Sequence, residues 1–207
     1  VPLTLLNIRY DKMIIKLFTK FLNKVDNVHN KKYYSFNICN FKFKGKNSPR
    51  DKITSLRKYI NFKRKNILNI GCNTGGILLH LPEIKLGIGI DSDEKCIDSA
   101  NIIKNSIKYN NQLIFTKGDL TDLKLLSYEW IDKYDIIFIS ERVNIENWEK
   151  LFNYCIKKGK KIIYEENNSD NIKKLAFFRE KKCKIHINLR KNEYDGNVSN
   201  VFIIKTI

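Results

Sequence analysis

From Asn66 onward the sequence alternates between short apolar runs and longer stretches with helical periodicity, and few folds accommodate this alternation. The apolar runs have the length of β-strands and lie at 66–70, 86–90, 112–116, 134–139 and 161–165. The helical stretches lie at about 76–81, 94–109, 144–158 and 169–181. Strands that alternate with helices form a parallel sheet with right-handed crossovers. We therefore predict an α/β domain with a doubly wound sheet.

The end of the chain interrupts this alternation. Two strand-like segments, KIHINLR at 184–190 and NVFIIKT at 200–206, are separated by a loop that contains Asp195-Gly196. An Asp-Gly pair between two such segments favours a hairpin turn. We therefore expect an antiparallel hairpin beside the otherwise parallel sheet.

The first part of the chain has a different character, and we divide the sequence into an extension at 1–47 and a domain at 48–207. Apolar residues recur at helical spacing between Leu3 and Val25, which predicts an amphipathic helix. Residues 31–47 interleave basic and aromatic side chains, which favours either stacking on bases or sugars or packing of the phenylalanines on a short strand. Ser48 and Pro49 are typical of a helix start, and that helix is expected to reach about Ile60.

The net charge of +17 is concentrated in the first third of the chain. Residues 1–66 carry 17 basic and 3 acidic side chains, whereas residues 67–207 carry 22 and 19. A local excess of this size favours contact with a polyanion such as RNA, a nucleotide or an acidic membrane surface. A solvated lysine surface explains the excess equally well.

Cysteine spacing and hydropathy give expectations about location. The five cysteines are widely spaced and never form a CxxC pair, which favours a reducing, cytoplasmic setting and argues against a structural zinc site. No apolar run approaches the roughly 18 residues that a membrane span requires.

The loop after the first apolar run, within ILNIGCNTGG at 67–76, has the composition of a ligand-binding turn. In doubly wound sheets, ligands bind beyond the carboxyl ends of the strands. Gly71 permits a tight turn off the strand, and Gly75 and Gly76 let the backbone approach a ligand closely. This loop is therefore the predicted centre of the binding crevice.

Two acidic residues follow at the ends of the next strands. Asp91 ends the second strand, 20 residues after Gly71, where its carboxylate is well placed for the two hydroxyls of a ribose. Asp119 follows the third strand, where its carboxylate is suited to the exocyclic amine of adenine. A dinucleotide is disfavoured, because Asn73 stands where G-x-G-x-x-G requires its second glycine.

The motifs ILNIGCNTGG, GIGIDSD and FTKGDL, in this order, resemble those of the class I S-adenosylmethionine-dependent methyltransferases. The resemblance covers about residues 48–207. It implies a Rossmann-like, mostly parallel, seven-stranded sheet that ends in an antiparallel hairpin. It also implies methyl transfer from S-adenosylmethionine to an acceptor.

The resemblance assigns the cofactor contacts to particular residues. Those implied to bind S-adenosylmethionine are Asn69, Gly71, Cys72, Asn73, Gly75, Asp91, Ser92, Asp119 and Leu120. The loop would line the methionine part, Asp91 would hold the ribose, and Ser92, Asp119 and the Leu120 backbone would adjoin the adenine. The family usually has Asp or Glu where this chain has Asn69, and that acid helps to position the cofactor's ammonium group. Asn69 retains an acceptor without the charge, so we expect weakened cofactor affinity.

The candidate catalytic residues are glutamates after the fourth and fifth strands, namely Glu141, Glu165 and Glu166. A hydroxyl acceptor benefits from a general base, which any of the three could supply. The same carboxylates could instead hold Mg²⁺, or cap helices and pair with basic side chains.

The acceptor is less constrained than the cofactor. No Asn/Asp-Pro-Pro-Tyr motif follows the fourth strand and no Pro-Cys dipeptide occurs, which disfavours methylation of adenine or glutamine amino groups and of pyrimidine rings. We favour a hydroxyl of a sugar, glycan or other small molecule. The alternatives are RNA, bound through the basic N-terminal third, and a catalytically silent methyltransferase-like binding module.

Overall fold

The computed structural model describes residues 36–38, 41–43, 48–105, 112–118, 131–140, 148–166, 171–191 and 198–205. The strands are β1 (Phe36–Ile38), β2 (Phe41–Phe43), β3 (Asn66–Ile70), β4 (Leu86–Asp91), β5 (Leu113–Lys117), β6 (Ile136–Ile139), β7 (Lys161–Glu166), β8 (Lys184–Lys191) and β9 (Val198–Lys205). The helices are α1 (Pro49–Leu56), a 3-10 helix at Leu78–His80, α2 (Glu94–Asn105), α3 (Trp148–Lys157) and α4 (Asn171–Glu180). None of these helices is long and apolar enough to cross a membrane.

Seven strands form one sheet in the order β5-β4-β3-β6-β7-β9-β8. The first five strands of this order run parallel, and β9 pairs antiparallel with both β7 and β8. This confirms the predicted doubly wound α/β sheet with its C-terminal antiparallel hairpin. The strand order reverses between β3 and β6, so a crevice is expected above the carboxyl ends of these two strands. Strands β1 and β2 form a separate antiparallel pair.

The two faces of the sheet are covered by different helices. Ile67, Phe138 and Ile163 belong to the buried cluster that includes α1, the 3-10 helix and α2. Their sequence neighbours, such as Leu68 and Ile162, belong to the cluster that includes α3 and α4. Strands buried on both faces explain the nearly continuous apolar runs, because each side chain that enters the core contributes roughly 1.5–3 kcal/mol.

Two predicted helices are shorter than the periodicity indicates. Instead of a helix at 76–81, the chain forms a 3-10 helix, and Leu81 leaves the helical region with φ −120° and ψ 70° because Pro82 follows it. Helix α1 ends at Leu56, whose carbonyl accepts the N–H groups of both Tyr59 and Ile60 in a tightened last turn. The predicted helix between Leu3 and Val25 lies outside the described residues.

Candidate functional site

The loop after β3 turns sharply at the carboxyl edge of the sheet. Gly71 has a φ of 71°, and the N–H groups of Gly71 and Cys72 both donate to the Ile90 carbonyl at 2.9 Å. This is the tight turn predicted for Gly71. It brings the loop into contact with the end of β4.

Asp91 links that loop to the turn after β4. One carboxylate oxygen accepts the Asn73 N–H at 2.7 Å, and the other accepts the Asp93 N–H at 3.0 Å. Asn73 has a φ of 50°, and its side-chain oxygen accepts the Thr74 N–H at 2.8 Å. Since a carboxylate oxygen accepts two hydrogen bonds, Asp91 retains acceptor capacity while these amides orient it. Ser92 follows it and is exposed.

Two glycines near the loop make room for a phenylalanine of the same chain. A Cβ on Gly75 would lie 2.7 Å from the Phe115 ring, and one on Gly89 would lie 2.6 Å from that ring and 2.9 Å from the Cys72 sulfur. The close approach at Gly75 is therefore made to Phe115, a packing role that sequence reasoning missed. Burial first, and the nearby Asp91 second, raise the pKa of the Cys72 thiol, which stays neutral.

Several buried polar side chains at the carboxyl edge have no protein partner in the described structure. Asn69 is fully buried, and among the described residues neither its side-chain oxygen nor its nitrogen has a hydrogen-bond partner. The same holds, within those ranges, for the buried hydroxyls of Thr74 and Ser140. The register pairs Asn69 with Phe138, and Ser140 lies two residues further on, so Asn69 and Ser140 face the same side of the sheet. Unpaired buried polar groups cost about 1–3 kcal/mol each, so each of them calls for an explanation such as a bound water, ion or ligand.

Glu165 forms a buried ion pair with Lys52 of α1. Each of the two residues is 3% exposed, and the Lys52 ammonium also lies 4.6 Å from the centroid of the Phe138 ring. The other carboxylate oxygen of Glu165 has no partner within the described part of the chain. Glu165 therefore reaches the predicted edge of the sheet, but it is enclosed rather than open to an acceptor.

Lys52 was missed by sequence reasoning, although the sequence holds a signal for it. Lys52 shares the buried face of α1 with Pro49, Ile53 and Leu56. A lysine at such a position requires a carboxylate partner or a route to solvent.

The remaining predicted site residues are tested less directly. Glu141, Asp119 and Leu120 lie outside the described residues, and Glu166 is the last residue of β7. Their roles stay predictions. Across the described ranges, no group of three or more His, Cys, Asp or Glu side chains is arranged to hold a metal ion.

No family model matches the sequence, and no curated protein matches it significantly. Solved structures do match the fold. The precorrin-6y C5,15-methyltransferase of Geobacter metallireducens GS-15 has a TM-score of 0.56 at 11% identity, over 75% of this chain and 87% of the other.

Two further matches have similar scores. The magnesium protoporphyrin IX methyltransferase of Synechocystis PCC 6803, solved with bound SAM, has a TM-score of 0.56 at 16% identity, over 77% of this chain and 78% of the other. The M1A22 tRNA methyltransferase TrmK of B. subtilis has a TM-score of 0.57 at 13% identity, over 76% and 66% respectively. The chain therefore has the fold of the class I S-adenosylmethionine-dependent methyltransferases.

Proposed function

We propose that this chain is an S-adenosylmethionine-dependent methyltransferase. The observation that carries the proposal is the buried Asn69 amide, whose donor and acceptor both lack a partner among the described residues. Asn69 lies in β3 directly before the loop in which Asp91 and the Asn73 backbone are already joined. Structures of the same fold have been solved with SAM or with S-adenosylhomocysteine.

The residues at this edge fit the chemistry of that cofactor. The amino acid end of S-adenosylmethionine carries an ammonium donor and a carboxylate acceptor, and the Asn69 amide offers an acceptor oxygen and a donor NH2 group. Asp91 would accept hydrogen bonds from the ribose hydroxyls with the capacity left by its two backbone donors. Asn69 lacks the negative charge of an acid, so the attraction for the ammonium group is weaker.

The cofactor supplies a methyl group that is already activated by a positively charged sulfur. The task of the protein is then to hold the acceptor in line with that group and to exclude water. Glu141 and Glu166 are the proposed general bases for a hydroxyl acceptor. In the alternative, the same carboxylates would bind Mg²⁺. We assign Glu165 a positioning role, because Lys52 occupies one of its oxygens.

For the acceptor, the sequence favours a hydroxyl of a sugar, glycan or other small molecule. RNA is a second candidate, supported by the fold shared with the tRNA methyltransferase TrmK and by a lysine row described below. The two acceptors are separated by incubating the protein and labelled S-adenosylmethionine with cell extract, then measuring label in the RNA, protein, glycan and small-molecule fractions.

Calorimetric titration with S-adenosylmethionine tests the cofactor proposal. We expect binding in the micromolar to sub-millimolar range, and Asp91→Ala should weaken it by roughly 1–3 kcal/mol because ribose hydroxyls lose their acceptor. Asp98→Ala, which removes an exposed carboxylate from α2, is the matched control and should bind normally. Absence of binding at millimolar cofactor would refute the proposal and favour a catalytically silent binding module.

A further inference from the structure

A row of basic side chains crosses the amino edge of the sheet, opposite the edge that holds the candidate site. In sheet order the basic members of the row are Lys85, Lys65, Lys161, Lys205 and Lys184, and the acidic Asp135 lies between Lys65 and Lys161. Neighbours are joined by the backbone: Lys85 N–H donates to the Lys65 carbonyl at 2.9 Å, and Lys161 N–H donates to the Asp135 carbonyl at 3.2 Å. Lys184 and Lys205 pair directly in the hairpin. Because adjacent strands lie about 4.8 Å apart, the row is roughly 24 Å long.

Among the residues that the structure describes, only part of this charge is offset by acidic side chains. The Lys65 ammonium lies 3.3 Å from the Asp135 carboxylate, and both side chains are partly accessible. Exposed ion pairs of this kind contribute little and are readily exchanged for another anion. Lys85 and Lys184 are exposed at the two ends of the row. Further exposed basic side chains lie just before β3, at Lys63 and Arg64.

The opposite edge carries a group of acidic side chains. The carboxyl end of β4 and the start of α2 carry Asp91, Asp93, Glu94 and Asp98. In residues 67–207 the basic and acidic side chains nearly balance in number. The carboxyl edge also carries Lys117 at the end of β5 and Lys191 at the end of β8, so its charge is mixed. At the amino edge the lysines of the row face only Asp135 in the same line, which creates a local positive surface that the charge count along the chain does not show.

An aromatic ring adjoins the lysine row. Tyr59 is 37% exposed, its ring lies 5.1 Å from the His186 ring, and its carbonyl accepts the Lys205 ammonium at 2.8 Å. Basic side chains that neutralise phosphates, beside an exposed ring on which a base can stack, are the combination found in binding sites for single-stranded nucleic acid. A membrane is less well matched, because the other large apolar side chains exposed in the described ranges, Ile102 and Ile114, lie on α2 and β5.

We propose that the amino edge of the sheet is a docking surface for single-stranded RNA, with the lysine row on the phosphates and Tyr59 stacked on a base. This inference rests on the proposed function, with its second candidate, RNA, as the acceptor. The strands separate the two edges by roughly 17–20 Å. An RNA whose single-stranded segment is held at the lysine row would therefore extend past the sheet to present a nucleotide at the other edge.

The test measures RNA binding without cofactor, so it does not depend on methyl transfer. The double variant Lys85→Gln/Lys184→Gln removes two charges from the row, and Lys95→Gln/Lys150→Gln removes two exposed charges elsewhere. The probe is a fluorescent oligouridylate of roughly 20 nucleotides, titrated by anisotropy between about 50 and 200 mM salt. The slope of log affinity against log salt is negative; it should become less negative by about 1.4 for the row variant and stay unchanged for the control.

Tyr59 provides an independent readout in the same assay. Tyr59→Ala should weaken binding by about 5-fold or more with no change in salt slope, and Tyr59→Phe should bind like the parent chain, because stacking requires only the ring. Thermal unfolding confirms that each variant is folded. Equal losses in the row and control variants would overturn the proposal, since net charge alone would then explain binding.

Two further outcomes also overturn the proposal: no RNA binding at about 50 mM salt, or preferential binding to phosphatidylserine vesicles, which would identify a membrane surface. Calorimetry with S-adenosylmethionine on the row variant should show unchanged cofactor binding. RNA binding through the row by a chain that does not bind S-adenosylmethionine would refute the proposed function alone. Cofactor binding without RNA binding would refute this inference alone.

Discussion

At the scale of single residues, Asn69 is the position where ligand binding and protein stability make opposite demands on a side chain. Its amide is fully buried, with both polar atoms unpartnered in the described structure. A buried amide without partners destabilises the protein by itself. Retention of such a group inside β3 is understandable if a ligand supplies the missing partners.

The variant Asn69→Asp tests this interpretation. A carboxylate should attract the cofactor's ammonium group more strongly and tighten binding by roughly 10-fold. Without cofactor, the same buried carboxylate should lower the free energy of unfolding by about 1–3 kcal/mol. Urea denaturation with and without S-adenosylmethionine measures both effects, and the cofactor should restore the lost stability.

Asn69→Leu is the matched control, because it keeps the size of the side chain without its polar atoms. It should weaken cofactor binding with little loss of stability, as an apolar group of similar shape suits a buried position. If Asn69→Asp lowers stability and cofactor fails to restore it, Asn69 does not contact the ligand.

At the scale of elements, the Lys52–Glu165 ion pair links α1 to β7 at the carboxyl edge of the sheet. Removal of one member should leave an uncompensated buried charge, so Lys52→Met should lower the free energy of unfolding by about 3–5 kcal/mol. The double variant Lys52→Met/Glu165→Leu should recover much of that loss. Urea denaturation of the single and double variants gives the coupling energy.

The control for this cycle is Lys58→Met, which removes an exposed lysine just beyond the same helix and should change stability by less than about 0.5 kcal/mol. A Lys52→Met variant as stable as the Lys58 variant would contradict the buried pair. A Glu165→Leu variant that lowers stability and also slows methyl transfer by the remaining folded protein would agree with the positioning role, whereas unchanged methyl transfer would show a purely structural one.

The same elements show which features of the fold could be predicted from the sequence and which could not. The strands of the parallel sheet were predictable because both of their faces are buried, which leaves continuous apolar runs such as NILNI at 66–70. Asp91 was predictable from its distance along the chain to Gly71. The partnership of Lys52 with Glu165 was not, because it joins distant segments. The lysine row was not predicted, because its members are distant in the sequence and only the order and direction of the strands bring them to one edge.

At the scale of the whole molecule, we propose a domain boundary near residue 48, between a basic N-terminal segment and the sheet domain. The Ser48 side chain accepts the Asp51 N–H at 3.3 Å and caps α1, so the domain has a defined first element. The described contacts at the candidate site come from residues 52–165. Cofactor binding should therefore depend on the domain alone.

Deletion of residues 1–47 tests this division of roles. We expect S-adenosylmethionine affinity to stay within a few-fold, because Asn69, the glycine loop and Asp91 all remain. We also propose that the basic segment forms part of the acceptor side of the site and aligns the acceptor beside the cofactor. Methyl transfer should therefore be lost, because alignment is the main contribution that a protein makes to this reaction.

Calorimetry and label incorporation on the same truncated preparation measure the two properties side by side. The control is a chain that keeps residues 1–47 with their lysines changed to glutamine, which separates the charge of the segment from its presence. Loss of turnover in both chains would assign the effect to positive charge and favour an anionic acceptor. Loss in the truncated chain alone would assign it to packing at the acceptor side. Normal turnover after truncation would refute the proposed role, and acceptor alignment would then have to come entirely from the sheet domain.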